Sequence, residues 1–208
     1  MPTLDYFFTL MSPFAYLGHD SFLRLARAHH ATVHFRPVRM MELFGATGGV
    51  PLAQRAAARQ QYRLLELQRW REARALPLNL RPKFFPANAE PADRVAAAIA
   101  LAGGDPAGYM LGIFRALWTA DLDIAEAATI EQALRENGHE IEPLRRAAAS
   151  QAVTHVLDEN TRAAIALNLP GVPGYARDGE VFWGQDRLEL LGDALANNRP
   201  AFSPPLPG

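Results

Sequence analysis

Apolar and polar positions alternate or recur in three distinct regimes along the chain. Thr3 to Thr9 (TLDYFFT) is short, aromatic and β-branched, and is bounded by Pro2 and the Ser12-Pro13 pair, which predicts a strand. Ser12-Pro13 then predicts a helix start, with Ser12 at the N-cap and Pro13 at the first helical position. Tyr16, Leu17, Phe22, Leu25 and Ala26 follow at helical spacing up to His30. Ala31 to Arg39 alternates through Val33, Phe35 and Val38 and predicts a second strand. A right-handed crossover through the helix makes the two strands parallel.

From there the period changes. Leu52 to Leu76, rich in Ala, Arg, Gln, Glu and Leu, predicts a long helix. Pro77 to Pro91 carries four prolines and predicts an extended loop. Five helices are expected next, over 92–103, 106–119, 126–136, 142–150 and 151–167, with no internal repeat. The strand pattern returns after Leu169-Pro170-Gly171-Val172-Pro173-Gly174. Tyr175 to Arg177 and Val181 to Trp183 pair across an Asp178-Gly179 turn, and a last helix capped by Asp186 runs to Asn197. The order β-α-β, helical block, β-β-α is that of an α/β, thioredoxin-like fold with a large all-helical insertion. We divide it as 1–45 and 168–200 for the thioredoxin-like domain, 46–167 for the insertion and 201–208 for an extended tail.

Composition narrows the chemistry. The 208 residues include no cysteine, which excludes disulfides, thiolate metal sites and a cysteine nucleophile; any sulfur chemistry has to borrow its sulfur. A net charge of −1 leaves no basic surplus for nucleic acid. The six histidines show no metal-ligand spacing, so no metal is assigned. No phosphate loop and no nucleophile elbow occur. With no targeting signal and no apolar run long enough to span a bilayer, the expected partner is not a membrane and the expected location is cytoplasmic.

Four places could carry function. Ser12, between a strand and a helix N-terminus, either only caps the helix or offers its hydroxyl to an anion such as a thiolate. Val172-Pro173 is a candidate cis peptide. In a thioredoxin-like sheet it would turn the Val172 N–H and C=O toward an extended peptide ligand, although an ordinary turn proline would look the same. In Trp183-Gly184-Gln185-Asp186-Arg187, Asp186 is a cap or a seat for an α-amino group, Gln185 and Arg187 could serve a neighbouring carboxylate, and Trp183 reads as core. Lys83, the only lysine, lies in an aromatic and proline-rich loop where it could steady an anion; nearby Asn88 could cap the next helix.

Ser12-Pro13-Phe14-Ala15-Tyr16, Gly171-Val172-Pro173 and Phe182-Trp183-Gly184-Gln185-Asp186-Arg187-Leu188 together resemble the 2-hydroxychromene-2-carboxylate isomerase family, relatives of kappa-class glutathione transferases and periplasmic disulfide oxidoreductases. Phe35-Arg36-Pro37-Val38 and Phe85-Pro86-Ala87-Asn88, with Arg94 after it, look like family segments too. The resemblance implies glutathione as cofactor, with Ser12 in place of the oxidoreductases' first cysteine and bonded to the glutathione sulfur. It implies that Val172, before cis Pro173, pairs with the cysteinyl unit, and that Gln185 and Asp186 hold the γ-glutamyl end. It also implies a homodimer and a small aromatic substrate, isomerised through reversible thiolate addition. Departures fall on the substrate side: Gly45 stands where the family often has Lys, Gly49 where it has Asn, and Gly174 where it has Thr or Ser. Lys83 or Arg39 is the candidate replacement cation, with Asn88 beside it. A kappa-like transferase that forms a stable conjugate, or a glutathione-binding module without turnover, is the alternative.

Overall fold

The computed structural model describes residues 1–204, so the end of the expected tail, 205–208, lies outside the described residues. Thr3–Phe8 forms β1 and Thr32–Pro37 forms β2, joined by helix α1 (Pro13–Ala28). The two strands are parallel, with Tyr6 opposite Phe35 and Phe8 opposite Pro37. At the far end of the chain, β3 (Gly174–Arg177) pairs antiparallel with β1, and β4 (Glu180–Trp183) pairs antiparallel with β3, giving the sheet order β2-β1-β3-β4. The Asp178-Gly179 turn between β3 and β4 has positive φ at both residues, as a tight hairpin demands. The last helix, α9, is Leu188–Ala196.

β1 is the central strand, and its aromatic run feeds both faces. Leu4, Tyr6 and Phe8 enter a core that includes Phe22 of α1, Tyr175, Phe182 and Leu191. Register aligns Phe35, Tyr6, Tyr175 and Phe182 in one row across all four strands, and the Tyr6 and Tyr175 rings stack with centroids 5.3 Å apart. Phe7 faces the other way, into a smaller cluster with Val38, Leu43, Ala164, Leu169 and Ala176.

Between the sheet halves lie α2 (Met40–Thr47), a 3₁₀ turn at Leu52–Gln54, α3 (Ala57–Ala73), α4 (Glu90–Leu101), α5 (Ala107–Trp118), α6 (Ala127–Glu136), α7 (Ile141–Ala148) and α8 (Gln151–Ala166). The large core runs without a break from the sheet into this block: Trp118, Tyr109, Phe114 and Leu157 share one cluster with Leu4 and Tyr6. α8, inside the 46–167 segment, supplies Ala164 to the second face of the sheet. Helix α3 starts later than expected, because Pro51 and the 3₁₀ turn keep Arg55 and Ala56 extended. Asp186 does not cap the last helix. It sits within a 3₁₀ turn, Gln185–Arg187, and Arg187 holds the N-cap position of α9 without a side-chain bond. Trp183, expected in the core, is 52% exposed. On an edge strand whose Phe182 faces inward, the next side chain must face outward.

Candidate functional site

Strand directions bring the candidate residues to one end of the sheet. β1 ends at Phe8 and runs into Thr9–Ser12; β3 begins at Gly174, opposite Phe7, just after Val172-Pro173. β4 ends at Trp183, opposite Gly174, and leads into Gly184–Asp186, while β2 ends at Pro37, opposite Phe8, and leads into Arg39.

The β1–α1 turn is held from within and from across the molecule. Ser12 N–H donates to Thr9 C=O at 3.0 Å, and Ser12 Oγ accepts from Ala15 N–H at 3.2 Å, an N-cap with Pro13 in the first turn. Ser12 is 8% exposed, so its hydroxyl lies at the positive end of a helix dipole with little water over it. Asp93 of α4 fastens the preceding residues: Thr9 Oγ1 donates to its carboxyl at 2.6 Å and Leu10 N–H at 2.8 Å. Burial pushes the Asp93 pKa up to about 7, and the negative charge of Glu90 adds to the rise; the two hydrogen bonds oppose it.

The second wall is the loop before β3. The Val172-Pro173 peptide is cis. Pro173 C=O accepts from Gly184 N–H at 2.9 Å. Among the described residues, the N–H and C=O of Val172 have no hydrogen-bond partner. Two of the family departures have local reasons. A Cβ on Gly174 would lie 2.4 Å from Leu169 Cδ1, and one on Gly49 would lie 2.0 Å from Phe44 Cδ1, so these positions are filled by neighbours. Gly45 has open space around it.

Gln185 is fully buried. Its Oε1 accepts from Arg74 Nε at 3.1 Å and Nη2 at 2.9 Å, and its C=O accepts from Arg74 Nη2 at 3.3 Å. The side chain expected to hold a ligand therefore anchors the 3₁₀ turn to α3, with its carbonyl already taken. Asp186, next to it, is exposed and bonds Arg187 at 2.7 Å. The turn rests on α1 at Gly18, where a Cβ would lie 2.5 Å from Gln185 Cβ and 2.9 Å from Tyr175 Oη.

The expected replacement cations are not equivalent. Arg39 is committed to carboxylates: Nη1 reaches Glu90 at 2.9 Å and Nε reaches Asp158 at 3.0 Å, with Glu42 at 3.6 Å. These bonds raise its pKa and make it a clasp between α2, α4 and α8 rather than a free charge. Lys83 is exposed, with Nζ 4.9 Å from the Phe84 ring centre. Asn88 Oδ1 accepts from Glu90 N–H at 3.2 Å, but the N-cap of α4 is Ala89 and no side chain caps the helix, so Asn88 does not take the capping place expected of it.

Asp93 and Arg74 were missed in the sequence. An acidic residue in the first turn of a helix reads as a partner of the dipole, and one Arg among twenty carries no signal of its own. The arrangement as a whole is a helix-capping hydroxyl, an unpaired peptide unit and an exposed carboxylate at one sheet end. It can receive an extended peptide and favour an anionic group near Ser12.

The chain is 29% identical over 199 residues to 2-hydroxychromene-2-carboxylate isomerase of Pseudomonas putida, covering 92% of this chain and 93% of that one. It is 24% identical to glutathione S-transferase kappa 1 of Rattus norvegicus, covering 97% of this chain and 94% of that one. The solved structure of a 2-hydroxychromene-2-carboxylate isomerase superposes with a TM-score of 0.77 at 24% identity, over 94% of this chain and 95% of that one. The DsbA-like thioredoxin domain model matches residues 3–196, and the chain belongs to that family.

Proposed function

We propose that the protein is a glutathione-dependent isomerase of small aromatic acids, of the 2-hydroxychromene-2-carboxylate isomerase type, working as a cytoplasmic homodimer. The observation that carries the reading is the pairing of the Ser12 hydroxyl at a helix N-terminus with the unpaired Val172 peptide at the same sheet end. Curated relatives named for that isomerase support it. The residues fit a γ-glutamyl-cysteinyl peptide. Val172 offers one N–H and one C=O for strand addition, and the Asp186 carboxylate is exposed for an ammonium group. Gln185 contributes by fixing the turn that presents Asp186.

Ser12, Val172 and Asp186 would hold glutathione, which would supply a nucleophilic thiolate for reversible addition to the conjugated substrate. The chain's own part is electrostatic. The Ser12 O–H would be the donor toward that sulfur, and the N-terminus of α1 favours negative charge beside it. Both lower the pKa of a thiol that is otherwise near 8.5. Asp93 keeps the turn beneath Ser12 in place.

The test is a thermal melt with glutathione followed by product analysis on 2-hydroxychromene-2-carboxylate. A rise in Tm with millimolar glutathione and formation of an isomer at catalytic glutathione support the reading. A flat Tm refutes it. A stoichiometric conjugate assigns the protein instead to transferase chemistry like that named for the kappa-class relative. Light scattering on the purified protein tests the dimer.

A further inference from the structure

The two oxygens of the Asp186 carboxylate have different neighbours. Oδ2 accepts from Arg187 Nη1 at 2.7 Å, while Oδ1 folds back over Gly184, where a Cβ would collide with it. Gly184, at φ 100°, permits this approach, and its N–H donates to Pro173 C=O at 2.9 Å. Oδ1 is therefore the oxygen left for an ammonium group, and the backbone beneath it is tied to the residue after Val172.

The turn that carries Asp186 has little of its own to hold it. Gln185–Arg187 is three residues long and lacks a side-chain cap, and Arg187, the N-cap of α9, makes no capping bond with its side chain. Its backbone bond runs from Arg187 N–H to Gly184 C=O at 3.1 Å. Arg74, at the C-cap of α3, supplies the rest. One guanidinium takes both oxygens of Gln185: Nη2 donates to Oε1 at 2.9 Å and to the backbone C=O at 3.3 Å, and Nε donates to Oε1 at 3.1 Å. That C=O shares a planar peptide unit with the Asp186 N–H, so holding it fixes the plane from which the Asp186 side chain departs.

Arg74 is itself held. Its guanidinium lies 5.0 Å from the centre of the Trp70 ring, one turn back on the same helix. Among the described residues its side-chain hydrogen bonds all go to Gln185, and it has no carboxylate partner. A planar fork can grip a side-chain oxygen and a backbone oxygen together; the point charge of a lysine cannot.

We propose that Arg74 is the positioning residue of the amino-end subsite: through Gln185 it aims Asp186 Oδ1 at the ammonium group of the γ-glutamyl unit. The proposal rests on the glutathione reading. It places part of the selectivity for an α-amino group in a helix of the inserted block.

The test is titration calorimetry with glutathione and with glutaryl-cysteinyl-glycine, which lacks both the amino group and the α-carboxylate, and with the deamino analogue that lacks the amino group alone. Wild type should prefer glutathione to the deamino analogue by about tenfold to a hundredfold, and Asp186→Asn should abolish the preference. Arg74→Gln should reduce the preference nearly as far while leaving affinity for the deamino analogue within about twofold of wild type. Arg74→Lys should fall between. Adding Arg74→Gln to Asp186→Asn should cost nothing more in preference, because Arg74 acts through Asp186. A Tm for each variant above the titration temperature shows that the losses are not unfolding. An Arg74→Gln that keeps the full preference overturns the proposal, as does one that loses affinity equally for all three ligands. Wild type that binds glutathione without preferring the amine overturns the proposal and leaves the glutathione reading standing. Wild type that binds none of the three refutes both.

Discussion

Asp93 and Thr9 are joined by a 2.6 Å hydrogen bond that links a helix of the inserted block to the end of the central strand. With the Leu10 N–H bond, it fixes the backbone that leads into Ser12. The carboxyl is buried among these groups, with Glu90 one turn away and the Tyr109 hydroxyl occupied by Ala92 C=O.

This carboxyl makes stability depend on pH. Its folded pKa, raised to about 7, lies above the unfolded value of 3.8. Between these values the folded protein keeps a proton that the unfolded chain releases, so the stabilising contribution is complete below pH 4 and is lost as pH rises through 7. The slope reaches about 1.4 kcal/mol per pH unit at most. In Asp93→Asn this component is absent, and the difference in unfolding free energy between wild type and variant should fall between about pH 4 and pH 7 and level off above that. A difference independent of pH would refute the assignment.

Ser12→Ala should separate capping from chemistry. Losing the Oγ acceptor for Ala15 N–H costs about 1 kcal/mol of stability. Losing the hydroxyl donor to the sulfur should lower isomerase turnover by about a hundredfold. Chemical denaturation and steady-state kinetics on the same preparation measure both; an unchanged turnover would leave Ser12 with its structural role alone.

Gly18→Ala is expected to be costly although the residue lies in a helix, where alanine is ordinarily favoured. The new methyl would collide with Gln185 Cβ and Tyr175 Oη. Overpacking of this kind costs about 1–3 kcal/mol. Because the 3₁₀ turn has to move, glutathione affinity should fall as well, which a calorimetric titration would show. A neutral or stabilising outcome would mean that the turn is not seated on α1.

Trp183 provides a direct readout. Its indole Nε1 lies 3.2 Å from where a Gly171 Cβ would stand, beside the Val172 peptide, and the ring is half exposed. Glutathione seated on Val172 should change its fluorescence. Trp183→Phe should abolish that change and alter stability by less than about 1 kcal/mol, as expected away from a core.

The two ends of the chain were the most legible parts. Thr3–Phe8, Ser12-Pro13 and the Asp178-Gly179 hairpin carry local signals strong enough to be read alone. Helix α2 was not read, because Gly45, Gly48 and Gly49 make Met40 to Gly49 look like a loop. It forms through burial of Leu43 and the anchoring of Arg39, both long-range effects. Ser12, Val172 and Asp186 are legible as candidates because they sit at element boundaries. The burial of Gln185 against Arg74 is not legible, since nothing nearby in sequence shows that a polar amide will be covered. Trp183 was misjudged because edge-strand exposure depends on the order of strands, which pattern alone does not reveal.

The antiparallel pairing of β1 with β3 joins Asp5 to Ala176, positions roughly 170 residues apart. Such a closure carries a large entropic cost until the intervening chain has compacted. The helical block, rich in local contacts, is therefore expected to organise first and bring the two half-sheets within reach. The Ser12 turn comes from one half-sheet and the Val172 peptide from the other. On the proposed reading neither half alone presents the glutathione-binding surface until this last pairing is made, so glutathione binding should report that the two half-sheets have joined.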